Sequence, residues 1–148
     1  MKYTLALDVY GTLIDTTGVF EILSTHITDQ PEAFMHAWRS KQLEYSFRRT
    51  AMKQYVPFSQ CTKDALLFTA QQRKCSLSPT QVQDLLQAYQ QLPPFPDVAP
   101  GLRALKAAGH RLFAFSNGSR SALLPLLEQA QLLSLLDGVI SVEATKRF

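Results

Sequence analysis

Leu5-Ala6-Leu7-Asp8-Val9-Tyr10-Gly11-Thr12-Leu13 is a short apolar run that meets one carboxylate and then breaks at a glycine. A run of this kind, bounded by a turn signal, reads as a buried strand. Asp8 then stands at the carboxyl end of the strand, facing a loop. In open α/β sheets that end is where ligands bind. A carboxylate there can act as a nucleophile and form a covalent ester. It can equally cap a turn through its own backbone. The stretch by itself leaves both open.

Outward from Leu13 the periodicity turns helical. Asp29-Gln30-Pro31-Glu32 carries an Asx cap, an early proline and a glutamate, which predicts a helix start. Phe34, Ala37, Trp38, Lys41 and Tyr45 follow at helical spacing, with Met35, Arg39, Leu43 and Ser46 as a neighbouring stripe. Arg39 therefore has an apolar residue one turn away on each side. It either finds an anionic partner or snorkels to solvent. Val56-Pro57-Phe58 breaks that helix, and Ala65, Leu66, Phe68 and Thr69 suggest another. Ser78-Pro79-Thr80-Gln81 is a capping box opening a helix through Leu85, Leu86 and Tyr89. Pro93-Pro94-Phe95-Pro96 then reads as a stiff linker. Residues 15–92 are expected to form a helical insert of about four helices.

Beyond the linker the α/β pattern resumes. A helix marked by Leu102 and Leu105 closes at Gly109, a predicted left-handed cap. Arg111-Leu112-Phe113-Ala114-Phe115 is a second buried strand ending in the polar turn Ser116-Asn117-Gly118-Ser119. In the leucine-rich helix that follows, Pro125 predicts a late start near Ala122 or a kink. Gly138-Val139-Ile140-Ser141-Val142 is a third strand.

Composition bounds the function. The 148 residues suffice for a proper core, and 46% hydrophobic with 18% charged content describes a globular chain. A net charge of +3 without a basic run argues against nucleic acid and is compatible with a small anionic substrate. Cys61 and Cys75 have no metal or redox spacing and read as free thiols of a reducing compartment. His26, His36 and His110 form no ligand cluster. Asp8 interrupts the only apolar N-terminal run, so no signal peptide is expected, and no stretch is long enough to span a membrane. A cytoplasmic domain is expected.

The strand ending in Asp8-Val9-Tyr10-Gly11-Thr12-Leu13, the helical insert, and the strand ending in Ser116-Asn117 together resemble the haloacid dehalogenase (HAD) superfamily. Trp38-Arg39-Ser40-Lys41-Gln42-Leu43-Glu44-Tyr45 resembles the cap motif of one branch, the type II 2-haloacid dehalogenases. Ile140-Ser141-Val142-Glu143 resembles the strand before that branch's third motif. The resemblance implies an α/β fold: a Rossmann-like core with a parallel sheet, formed by 1–14 and 93–148, and an inserted helical-bundle cap at 15–92. It implies cleavage of carbon–halogen bonds in 2-haloalkanoic acids through an aspartyl ester. In that scheme Asp8 is the nucleophile, Thr12 holds its loop, and Arg39 with Asn117 receives the halide. Ser116 binds the substrate carboxylate, and Tyr10, Leu43 and Phe58 line the apolar side of the pocket. Taken singly, Tyr10, Leu43 and Phe58 are more often plain packing, and Ser116 and Asn117 turn formers.

The family's phosphatases carry a second aspartate two residues after the nucleophile, where this chain has Tyr10. A halide needs no proton to leave and a carboxylate substrate needs no metal clamp, so no metal and no other cofactor is expected. The resemblance puts the third-motif lysine just beyond Phe148, with Lys146 a few residues early, and the fourth motif is absent. The last strands of the core are therefore expected to be missing, with impaired activity and an exposed Leu5 edge. Such an edge favours association, a homodimer included. Two alternatives stay open: a non-catalytic remnant serving as a binding or assembly module, and another hydrolase of the superfamily.

Overall fold

A computed structural model of the chain describes all residues, 1–148. In chain order the elements are strand β1 (Thr4–Asp8) and helices α1 (Phe20–His26), α2 (Pro31–Ala51), α3 (Phe58–Gln72) and α4 (Pro79–Ala88). Helix α5 (Val98–Ala107), strand β2 (Arg111–Ser116), helix α6 (Arg120–Gln129) and strand β3 (Gly138–Ser141) follow. The chain divides into two compact units, Met1–Thr16 with Gln91–Ala144, and Thr17–Gln90 with Thr145–Phe148.

In the first unit the strands form one parallel sheet in the order β1-β2-β3, as an α/β fold requires. The register sets Asp8 beside Phe115 and Ser116 beside Ser141. Side chains alternate between faces along a strand. Leu112, Ala114, Ser116 and Val139 are buried, whereas Phe115 and Ile140, adjacent in the register, are each 45% exposed. The strands read as buried are thus covered on one face, with the other partly open. β1 is an edge strand, with Leu5 and Leu7 half-buried and Ala6 exposed.

Local signals explain where the helices of this unit begin and end. Gly109 takes φ +81°, the left-handed conformation a residue with a Cβ resists, and its N–H closes on the Lys106 carbonyl. α6 begins at Arg120 rather than at Ala122, because Ser119 caps it by accepting from the Ala122 N–H. Pro125 lies inside the helix and forgoes one backbone bond.

The second unit is a bundle of α1 to α4. Phe34, Trp38, Leu23, Leu66 and Leu85 fill its interior with at most 1% exposure. The Ser78–Gln81 capping box forms in both directions, at 2.9 and 3.2 Å. α2 departs from expectation: its N-cap is Gln30, at φ +49°, and Asp29 supplies no cap. Pro31 at the first position still sets the start, since it needs no backbone acceptor. Thr145–Phe148 go with this bundle rather than with the sheet. The Phe148 ring lies 5.1 Å from Tyr55 and 5.9 Å from Phe58, and its N–H donates to the Thr50 hydroxyl at 2.9 Å. No helix is long and apolar enough to cross a membrane.

Candidate active site

Asp8 ends β1, and the chain turns at once. The Val9 carbonyl accepts the N–H groups of Thr12, Leu13 and Ile14 at 3.3, 3.0 and 2.8 Å. Gly11, at φ +95°, makes that turn and donates to the Ile14 carbonyl at 2.8 Å. Val9, Leu13 and Ile14 are buried, so apolar packing holds the turn while Asp8 stays exposed. The Thr12 hydroxyl donates to Asp8 Oδ2 at 3.3 Å and steers the carboxylate.

The end of β2 supplies the neighbouring groups. Ser116 lies one residue past the partner of Asp8 and is 2% exposed. Its Oγ accepts the Gly118 N–H at 3.1 Å, which bends the chain and leaves the hydroxyl proton to donate. Asn117 is half-buried. Gly118 is buried, and a Cβ there would come within 3.1 Å of both Tyr10 Cε2 and Leu123 Cδ2. The Tyr10 ring therefore rests on a backbone with no side chain.

β3 braces the same turn. Ser141 Oγ donates to the Gly118 carbonyl at 2.6 Å. Glu143 Oε2 accepts the Arg120 N–H at 3.3 Å, and Arg120 Nη1 donates to the Val139 carbonyl at 2.7 Å. The sheet unit so gathers Asp8, Tyr10, Thr12, Ser116 and Asn117 at the carboxyl ends of adjacent strands.

Arg39, Leu43 and Phe58 belong to the helical unit. Arg39, half-buried on α2, donates through Nη1 to Gln42 Oε1 at 2.6 Å and bonds the Tyr89 hydroxyl. Gln42 is fully buried, and its Nε2 donates to Thr62 Oγ1 at 2.5 Å. Thr62 Oγ1 donates onward to the Phe58 carbonyl at 3.0 Å. Burial pushes the Tyr89 phenol up from its ordinary value, and the nearby Arg39 charge opposes that in part. Leu43 is half-buried, and Phe58 is 4% exposed beneath the Phe148 ring.

Gln42 and Tyr89 stood in the sequence only as members of a motif and a helix, without a role of their own, and Thr62 gave no signal. Gln42 lies three residues after Arg39, a spacing at which helical side chains meet, and that was the one available signal. Ser141 was noted only as part of a strand, and its bond to Gly118 joins positions 23 residues apart.

A family model described as haloacid dehalogenase-like hydrolase matches residues 4–148. The (S)-2-haloacid dehalogenase of Pseudomonas putida is 38% identical over 144 residues, covering 97% of this chain and 63% of that protein. The chain thus spans less than two-thirds of that relative's length. The L-2-haloacid dehalogenase of Xanthobacter autotrophicus superposes with a TM-score of 0.91 at 34% identity, covering 100% of this chain and 60% of that one. That enzyme has also been solved with chloropropionic acid covalently bound. The L-2-haloacid dehalogenase RSc1362 superposes with a TM-score of 0.95 at 29% identity, covering 99% and 66%.

Proposed function

The chain belongs to the haloacid dehalogenase-like hydrolases, and on that premise we propose that it displaces halide from 2-haloalkanoic acids through an ester on Asp8. What carries this is the first turn: one exposed carboxylate at a strand end, steered by Thr12, with Tyr10 and no second carboxylate beside it.

An Asp8 oxygen attacks the halogen-bearing carbon. An O–C bond forms as the C–halogen bond breaks, and the bonding pair leaves with the halide. No proton moves in this step, so Tyr10 in place of an acid costs nothing. The Ser116 hydroxyl, whose oxygen is already bonded by Gly118, donates to the substrate carboxylate. Arg39 and Asn117 receive the halide, and Tyr10, Leu43 and Phe58 supply apolar surface. Water then attacks the ester carbonyl: a new C–O bond forms as the acyl C–O bond breaks, and one water proton goes to the departing alkoxide and the other to solvent. The 2-hydroxy acid leaves with the original Asp8 oxygen, while Asp8 keeps the oxygen of water. Asp8 is the nucleophile and the substrate a small haloacid. The covalent chloropropionate in the Xanthobacter relative supports the same first step here. The setting is the cytoplasm, where Cys61 and Cys75 stay reduced.

The test is incubation with excess 2-chloropropionate in ¹⁸O-water, acid quench, and peptide mass analysis. The Asp8 peptide is expected to carry the ester or ¹⁸O, with halide released alongside. An unmodified Asp8 peptide and no halide would overturn the proposal.

A further inference from the structure

We propose that Gln42 and Tyr89 are positioning residues for Arg39, holding its guanidinium as the cation that meets the departing halide. This rests on the dehalogenase function above and adds two residues to it.

The helical unit carries a closed polar circuit in its interior. Arg39 donates to Gln42 Oε1 at 2.6 Å, and Gln42 Nε2 donates to Thr62 Oγ1 at 2.5 Å. Trp38 Nε1 donates to the Thr62 carbonyl at 2.9 Å. The Trp38 ring meets the edge of Tyr89 at 4.9 Å, and the Tyr89 hydroxyl bonds Arg39. Gln42 is 0%, Trp38 1%, Thr62 5% and Tyr89 7% exposed.

The orientation of the Gln42 amide follows from its neighbours. The Thr62 hydroxyl proton is committed to the Phe58 carbonyl, so Thr62 Oγ1 can only accept from Gln42. Gln42 must therefore offer its NH2 to Thr62 and its oxygen to Arg39. A flipped amide would set donor against donor at Arg39. Such a network needs every member satisfied, because an unpaired polar group in the interior is costly.

A long arginine side chain loses much rotamer freedom when its head is fixed, and a preset geometry reduces that loss at the moment of reaction. Gln42 and Tyr89 are neutral acceptors. Neither cancels the guanidinium charge, as a carboxylate in the same place would. A phenol is already protonated, and hence neutral, near neutral pH, and burial pushes Tyr89 further in that direction.

The test uses Tyr89→Phe, which keeps the ring against Trp38, and Gln42→Met, which keeps volume and removes the amide. The first readout is the rate of Asp8 alkylation by 2-chloropropionate against 2-bromopropionate. Chloride is the poorer leaving group and depends more on the cation. The chloro-to-bromo rate ratio is expected to fall about three- to tenfold in each variant, with near-normal melting in Tyr89→Phe. A purely structural role would lower both rates alike. The second readout needs no activity: ¹⁵N NMR of the Arg39 side chain. Hindered rotation of the guanidinium in the parent chain is expected to become fast in both variants. An unchanged ratio, or hindered rotation persisting in both variants, would overturn the proposal. Should the parent chain show no alkylation at all, the dehalogenase function fails, and the NMR result alone decides whether Gln42 and Tyr89 hold Arg39.

Discussion

The two units prepare their functional groups in opposite ways. In the sheet unit the backbone does it: strand register sets Asp8 and Ser116 side by side, and tight turns at Gly11 and Gly118 present them. In the helical unit side chains do it, through a buried circuit of Arg39, Gln42, Thr62, Trp38 and Tyr89. The sheet unit leaves Phe115 and Ile140 each 45% open, while its groups hang from backbone hydrogen bonds. The helical unit orients Arg39 with groups from α2, α3 and the residue that caps α4, so its geometry depends on a packed interior. Register survives surface changes, whereas a side-chain circuit does not survive loosening of the core.

The largest test falls on the backbone-set group. Asp8→Asn keeps the turn and replaces the carboxylate with a poor nucleophile. Adduct formation from 2-chloropropionate should drop at least about 10³-fold, with melting unchanged. Mass spectrometry of the quenched variant, with deamidation excluded, measures it. Retained activity would show that the turn presents something other than the nucleophile.

The contrast in burial gives the next effect. Leu66→Ala, at a fully buried site of α3, should cost about 2–5 kcal/mol. Phe115→Ala, on the open face of β2, should cost about 1 kcal/mol or less and reduce dye binding and light scattering. Denaturant unfolding of both variants compares them. A large loss from Phe115→Ala would show that this face is covered in solution.

Tyr89 offers a pH test of the sealed interior. Burial raises its folded pKa above the unfolded value of about 10. Above that pH the unfolded chain binds fewer protons than the folded one, so stability falls as pH rises. The contribution is full below about pH 10 and is lost toward the folded pKa, with a slope of up to about 1.4 kcal/mol per unit. Cys61, raised chiefly by burial, acts with the same sign from about pH 8.5. Unfolding measured from pH 9 to 11 should be flatter in Tyr89→Phe. An identical slope would mean the phenol is not sealed.

The smallest expected effect is none. EDTA should leave the alkylation rate unchanged, since the first turn carries Tyr10 at the position where the resemblance would place a phosphatase's second aspartate. A rate lost to EDTA and restored by magnesium would remove the distinction between this first turn and a phosphatase's.

Sequence alone determined what short-range chemistry encodes. The apolar run to Asp8 with Gly11 after it, the Ser78–Gln81 box and the Gly109 cap each involve residues within a few positions of one another. Hydrophobic periodicity likewise separated the helical insert from the strands, because it records burial residue by residue. It overstated the burial of the strands, since an apolar run does not tell whether both faces find a partner. The exposed Leu5 edge was already expected from the resemblance, and the strand order agrees. Only the tertiary structure decided that Phe148 packs with Tyr55 and Phe58 and that Gln42 lies inside. Gln42 meets Thr62 across 20 positions, and Arg39 on α2 meets Tyr89, the residue that caps α4. A polar side chain's burial depends on whether distant chain brings it a partner. No local pattern encodes that, because the same glutamine is equally at home in water.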